Sequence, residues 1–228
     1  SLAASADGGF IAGGAVPTAF GGSIVLRNEA GAAHFSRSGN IAMTVNANGI
    51  SNSNGPGGDG AGGTISLGVD GTLELDMGGS GTFVAEVIGT GGSSSNGDIG
   101  GNGTGGGIDF IVGSGGTLNI INPGTPLIEL KANGIGGNSL TQGGNGGGGA
   151  IFLVATEGNA TLPSLTINVR GEGGLGLPSG NAIAGRADVV VRESLVSIGG
   201  DLVLDGNAVV AGSSVEGDGT GGVLGVDV

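Results

Sequence analysis

Apolar and polar positions alternate along this chain in short runs. Ile65-Ser66-Leu67-Gly68-Val69, Leu73-Glu74-Leu75-Asp76-Met77 and Leu202-Val203-Leu204-Asp205 all show a period of two. Such alternation sends one set of side chains to a buried face and the other to solvent, which is the mark of a half-buried strand. The apolar runs are four to six residues long, rich in Val, Ile, Leu and Thr, and bounded by Gly, Asn and Asp. No stretch of a dozen residues sustains a helical period, so the pattern predicts an all-β chain.

The runs also repeat. Gly62-Gly63-Thr64-Ile65-Ser66-Leu67 followed by Gly71-Thr72-Leu73-Glu74-Leu75 returns as Gly106-Gly107-Ile108-Asp109-Phe110-Ile111 and Gly116-Thr117-Leu118-Asn119-Ile120. It returns again as Gly148-Gly149-Ala150-Ile151-Phe152-Leu153 and Ala160-Thr161-Leu162. The landmark steps from Thr72 to Thr117, Thr161 and Asp201, by 45, 44 and 40 residues. A third strand closes each unit, seen in Ala47-Asn48-Gly49-Ile50 and Ala132-Asn133-Gly134-Ile135. A glycine-rich excursion follows it. The expected fold is a parallel right-handed β-helix (a solenoid) of about five modules of about 40 residues, because a repeat of three short strands buries its apolar face only by stacking on its neighbours. The modules run roughly over 1–50, 51–89, 90–134, 135–173 and 174–212, with a partial one at 213–228, in a single domain.

Stacking makes like positions form ladders at the interstrand spacing of about 4.8 Å. The expected ladders are Leu73, Leu118, Leu162 and Leu202 in the interior, Thr72, Thr117 and Thr161 beside them, and Asn48 with Asn133 at a strand end. A β-sandwich or barrel would also use short strands, but has no reason to repeat these landmarks at a fixed period.

Glycine, 59 of 228 residues, then needs a place. The period of three that collagen requires is absent. Nearly half of the glycine is concentrated in the excursions at 51–63, 90–107, 136–149 and 212–222, and the rest serves turns between strands. Two readings stand: flexible linkers, or extended legs stacked as polyglycine II, with three residues per turn. Repetition at one place in each module favours the ordered legs.

Charge and chemistry narrow the function. Nineteen acids against six bases give a net charge of −13, which excludes a nucleic-acid-binding face. Cysteine is absent, which removes disulfides, thiol nucleophiles and Cys-ligated zinc. No run approaches the roughly 18 apolar residues of a membrane span. Asp59, Asp98 and Asp218 lie in Gly-rich turns and are weak calcium candidates, but the nine-residue period of calcium-binding β-rolls is missing; otherwise no metal, cofactor or catalytic residue is expected. For a carbohydrate-active β-helix enzyme the candidates are Asp70, Glu74, Asp76, Asp109 and Glu129 with Arg170, Arg186 and Arg192. They are spread one or two per module, not paired across a cleft as glycoside hydrolysis requires. His34, the lone histidine, has no second His nearby. An ice-binding surface needs a regular Thr array, of which Thr64, Thr72, Thr117 and Thr161 supply one ladder at most.

The modules, punctuated by Gly, Asn and Ser tracts, resemble bacterial surface proteins of the autotransporter and filamentous-haemagglutinin-like type V adhesins. A looser likeness is to glycine-rich tail-fibre adhesins. The resemblance implies an extracellular or cell-surface, β-helical stalk with a structural and adhesive role and no catalysis. Expected partners are the chain itself or further repeats of it, end to end or side by side, and a host surface or glycan. The final Val223-Leu224-Gly225-Val226 reads as the first strand of another module, so the chain is expected to be a segment of something longer or a self-stacking filament subunit.

Overall fold

A computed structural model describes residues 2–7, 18–36, 39–79, 81–121, 127–212 and 217–228. Parts of the first and last modules (8–17 and 213–216) lie outside these residues. Every described element is a strand, and every strand pairing is parallel.

The strands build four sheets, each taking one strand from every pass of the chain. The first sheet holds Ser23–Asn28, Thr64–Val69, Gly107–Val112, Ala150–Thr156, Arg186–Arg192 and Val223–Asp227. The second holds Ala32–Ser36, Thr72–Asp76, Thr117–Ile121, Asn159–Leu162 and Leu195–Ile198. The third holds Leu2–Asp7, Ile41–Asn48, Phe83–Thr90, Leu127–Ile135, Ser164–Asn168 and Leu202–Asp205, with Gly171–Glu172 and Ala208–Val209 alongside. These are the three strands per module that the pattern predicts. The fourth sheet holds Ala19–Phe20, Gly60–Ala61, Gly103–Thr104, Gly146–Gly147, Ala182–Ile183 and Gly219–Thr220, four of which lie within the glycine excursions. Its strands are only two residues long, too short to show an alternation.

The interior is a set of stacked apolar columns. Ile24, Ile65, Ile108, Ile151, Ala187 and Leu224 form one, and Leu26, Leu67, Phe110, Leu153, Val189 and Val226 the next. Each pass therefore consumes between 36 and 43 residues, as the spacing of these rungs shows. On the third sheet Phe83, Ile128 and Leu165 stack, beside Ala85, Leu130 and Ile167. All of these side chains are buried except Leu26, which is partly exposed, and Leu224 and Val226 at the far end of the stack. At about 25 cal/mol per Å² of apolar area, this shared interior is the main stabilising term.

Register corrects the expected ladders. Leu73 and Leu118 do stack, but their next rung is Ala160, followed by Val196. Leu162 lies one inward rung further along and pairs with Ile198. Leu202 belongs to the third sheet, opposite Leu165. Thr72 pairs with Thr117, but Thr161 pairs with Asn119. Asn133 is in register with Ile88 and Asn46, while Asn48 pairs with Thr90. The slips of Leu162, Thr161 and Asn48 are all two residues, and a two-residue slip keeps a side chain on the same face of a strand. Alternation alone is therefore blind to it.

The turn between the first and second sheets adopts the left-handed conformation in several passes. Gly31 and Gly115 take φ of 74°, but Glu157 and Glu193 take 52° and 49°. Left-handed backbone costs an L-residue roughly 1–2 kcal/mol, which glycine avoids at some cost in chain entropy. Glu157→Gly is expected to raise stability by about 0.5–1 kcal/mol, read as a shift of the urea midpoint without a change of slope.

Candidate functional site

The most organised part of the molecule outside the apolar interior is the glycine excursions. Each leaves the third sheet on an outgoing leg and comes back to the fourth sheet on a returning leg. Successive legs form two facing rows, and backbone hydrogen bonds join them in a pattern of three.

The first residue of each triplet bonds within its own row. Gly57 N donates to Ile99 O, Gly100 N to Gln142 O and Gly143 N to Pro178 O, while Gly91 N and Gly136 N do the same in the outgoing row. The second residue bonds across the rows. Gly58, Gly92, Gly101, Gly137, Gly144, Gly174 and Gly180 each donate to the one before, beginning at Ile50 O, at 2.7–2.9 Å throughout. This is one unbroken zigzag between the rows. The third residue points outward and carries a side chain.

Glycine fills most of the first two positions, Ile50 and Ser179 excepted, because backbone lies where a Cβ would go. A Cβ on Gly101 would overlap the carbonyl oxygen of Gly58 and lie 2.6 Å from its carbon. Gly144 meets Gly101, Gly137 meets Gly92 and Gly174 meets Gly137 in the same way. Ordering so much glycine is entropically costly. The offset comes from one inter-leg bond per residue, each contributing about 1 kcal/mol net.

At the third position of the returning legs stand Asp59, Asn102, Asn145, Asn181 and Asp218. The side-chain oxygen of each of the first four accepts the backbone N–H of the next residue in this series, at 2.6, 2.9, 2.9 and 2.8 Å in order. In the outgoing row Ser51, Ser93 and Asn138 do likewise toward Ser93, Asn138 and Leu175, at 3.1, 3.2 and 2.8 Å. An open groove of about 560 Å³ runs past this second ladder, lined by Ser51, Ser93, Asn138, Leu140 and Leu175.

The calcium candidates are placed elsewhere than a shared site. Asp59 and Asp218 occupy the two ends of the returning ladder, and Asp98 lies at a loop tip where its carbonyl accepts from Ser139 and Thr141. Among the described residues no group of three or more His, Asp or Glu gathers to hold a metal. Asn133, an expected ladder residue, holds the backbone N–H of Arg170 with its side-chain oxygen at 2.9 Å, and Asn46 does the same for Ile88 at 3.2 Å. The returning ladder escaped the sequence pattern. Its signal was the recurrence of Gly-Gly-Asx at 57–59, 100–102 and 143–145.

The acidic candidates stay apart. Glu74 and Asp76 are on the second sheet, Asp109 on the first and Glu129 on the third. Glu74 pairs with His34 at 2.6 Å, Glu129 with Lys131 at 2.9 Å, and Asp76 accepts from Ser36 at 3.4 Å. Arg170 pairs with Glu172, Arg186 with Asp188, and Arg192 reaches Asp227 at 3.8 Å.

Asp109 stands between Ser66 and Phe152 in an outward column. Burial pushes its carboxyl above the ordinary value. A raised folded-state pKa adds stability at low pH that is lost as pH rises through that pKa. Asp109→Asn is therefore expected to be the more stable form at neutral pH, with its advantage shrinking on acidification toward about pH 4, the ordinary carboxylate range. Urea midpoints across that window check it.

Comparison with known proteins adds little. No protein-family model and no curated protein matches the chain. Among solved structures it is similar to the nine-helix polyproline type II bundle antifreeze protein of the springtail Granisotoma rainieri, at 22% identity over 60% of this chain and 89% of that one. The TM-score is 0.16, too low to carry an argument about fold or function.

Proposed function

We propose that this chain is a right-handed β-solenoid of about five modules, flanked by a polyglycine-II layer, and that it serves as a structural and adhesive rod at the cell surface. The observation that carries this reading is the double continuity of the stack. Four parallel sheets and the zigzag of glycine bonds run through successive passes without interruption. Each pass is therefore clamped to the next on the apolar side and on the glycine side, which suits bearing load along the stack. Chemistry is left to no residue in this reading.

The partners are further repeats of the same chain or a second copy. In the last described pass the inward rungs Leu202, Leu224 and Val226 are 38%, 40% and 54% exposed, where earlier rungs of the same columns are buried. A further pass with the same pattern would cover them and continue the edge strands. Attachment to a surface or glycan is the adhesive part of the proposal and rests on the likeness to type V adhesins.

Electron microscopy of the purified chain and of native material tests the reading. Rods of one constant width, which lengthen with concentration or in the native material, are expected. Compact particles the size of one domain in both samples would overturn it.

A further inference from the structure

The outer face of the returning legs has a role that mechanical strength alone does not demand. A leg with three residues per turn presents three directions of hydrogen bonding. Two are used inside the layer, within the row and across the rows. The third points outward, and in an unbounded glycine lattice it would bond to another leg. An exposed row of such donors is an assembly edge, as an unpaired strand is at the margin of a sheet.

Every outward donor of the returning row between Asn102 and Asp218 is instead taken by the side chain one rung earlier. Asp59 holds Asn102 N, Asn102 holds Asn145 N, Asn145 holds Asn181 N and Asn181 holds Asp218 N. The same side chains fill the space that another backbone would need, since at the glycines where legs meet, such as Gly101 and Gly144, backbone already lies where a Cβ would go. We infer that this ladder is an edge-closing device: it holds the layer at two rows and excludes lateral docking of a glycine leg from a second copy of this chain. The inference rests on the polyglycine-II reading above and specifies where that layer stops. The residue types fit the task. Asx and Ser carry an acceptor one or two bonds beyond Cβ, close enough to reach the next rung's N–H at the strand-like repeat of about 4.8 Å.

The outgoing row is closed in the same manner by Ser51, Ser93 and Asn138, but Leu175 brings no acceptor to the rung after them. The complete ladder is therefore the sharper test.

Two triple variants of the full chain separate the possibilities. N102G/N145G/N181G removes acceptor and bulk together, whereas N102S/N145S/N181S keeps an acceptor of the kind the outgoing row uses. Amide exchange at residues 145, 181 and 218 is expected to be about tenfold faster in the glycine variant, as for one lost hydrogen bond, and nearly unchanged in the serine variant. Sedimentation is expected to show side-by-side association beyond that of the natural sequence only for the glycine variant. Unchanged exchange in the glycine variant, or equal association of the two variants, would overturn the inference. Should the triple glycine variant fail to fold, Asn145→Gly alone serves, with exchange at Asn181 N read against Gly180 N in the same molecule. Fast exchange at Gly144 N and Gly180 N in the natural protein would sink the layer itself. Slow exchange there with fast exchange at 145, 181 and 218 would sink only the edge-closing role.

Discussion

Alanine at Gly101 is expected to destabilise the protein by about 3 kcal/mol or more, at the upper end of overpacking effects. The added methyl would sit 2.6 Å from the carbonyl carbon of Gly58, with the carbonyl carbon of Gly57 also within 2.9 Å. Both neighbours are backbone, and both are tied into their own rows, so neither yields as a flexible side chain would. Gly101 N also donates to Gly92 O, and Gly101 O accepts from Gly137 N. Displacing this one leg therefore breaks the zigzag in two directions. Domains of ordinary stability hold about 5–15 kcal/mol in total, so a loss of this size is plain in a urea melt.

Gly221→Ala is the control. A Cβ there meets nothing within 4 Å, and no left-handed φ is recorded at that position. Alanine should be neutral or stabilising by a few tenths of a kcal/mol through the unfolded chain. Gly115 makes a third case, with empty space around its Cβ but φ of 74°. Its replacement should cost about 1–2 kcal/mol from backbone strain alone. An ordering of Gly101, then Gly115, then Gly221 is expected. Equal melts for Gly101→Ala and Gly221→Ala would show that the legs are not packed.

These three glycines also show what a sequence can and cannot reveal. The strands of the first three sheets were legible because Ile65, Leu67 and Val69 alternate with polar residues, and the repeat of that pattern implied parallel stacking. The rungs were not legible. Leu162 and Asn48 were matched by their neighbours' spelling, yet the turns vary in length between passes and a two-residue slip leaves the buried face unchanged. The returning ladder lay in segments without apolar residues, where the period to look for is three. Gly-Gly-Asx carries that period, but glycine so abundant masks it. Only the hydrogen bonds distinguish Gly101, which is packed, from Gly221, which is not.

Phe110→Ala is expected to cost about 3–5 kcal/mol, the range for large aromatic truncations in a closed interior. Phe110 is 1% exposed and Phe83 is fully buried. Their rings meet edge to face, with centroids 5.6 Å apart and planes at 80°. Phe110 comes from the first sheet and Phe83 from the third, so the contact spans the interior and joins two passes. Leu67 and Leu153, the rungs on either side of Phe110, are too short to close the void it would leave. A double-mutant cycle with Phe83→Leu and Phe110→Leu isolates the ring pair, with a coupling of about 0.5–1.5 kcal/mol expected. Phe35, half exposed at the end of the column that holds Leu75 and Ile120, supplies the contrast, since its truncation should cost only about 1–2 kcal/mol in proportion to the smaller apolar area it buries. In a stack where each pass leans only on its neighbours, a void between two passes weakens the joint on both sides. Phe110→Ala should therefore lower the cooperativity of unfolding as well as its midpoint, visible as a shallower urea transition. A variant that melts at the wild-type midpoint with the wild-type slope would mean that the aromatic pair is not part of the closed interior.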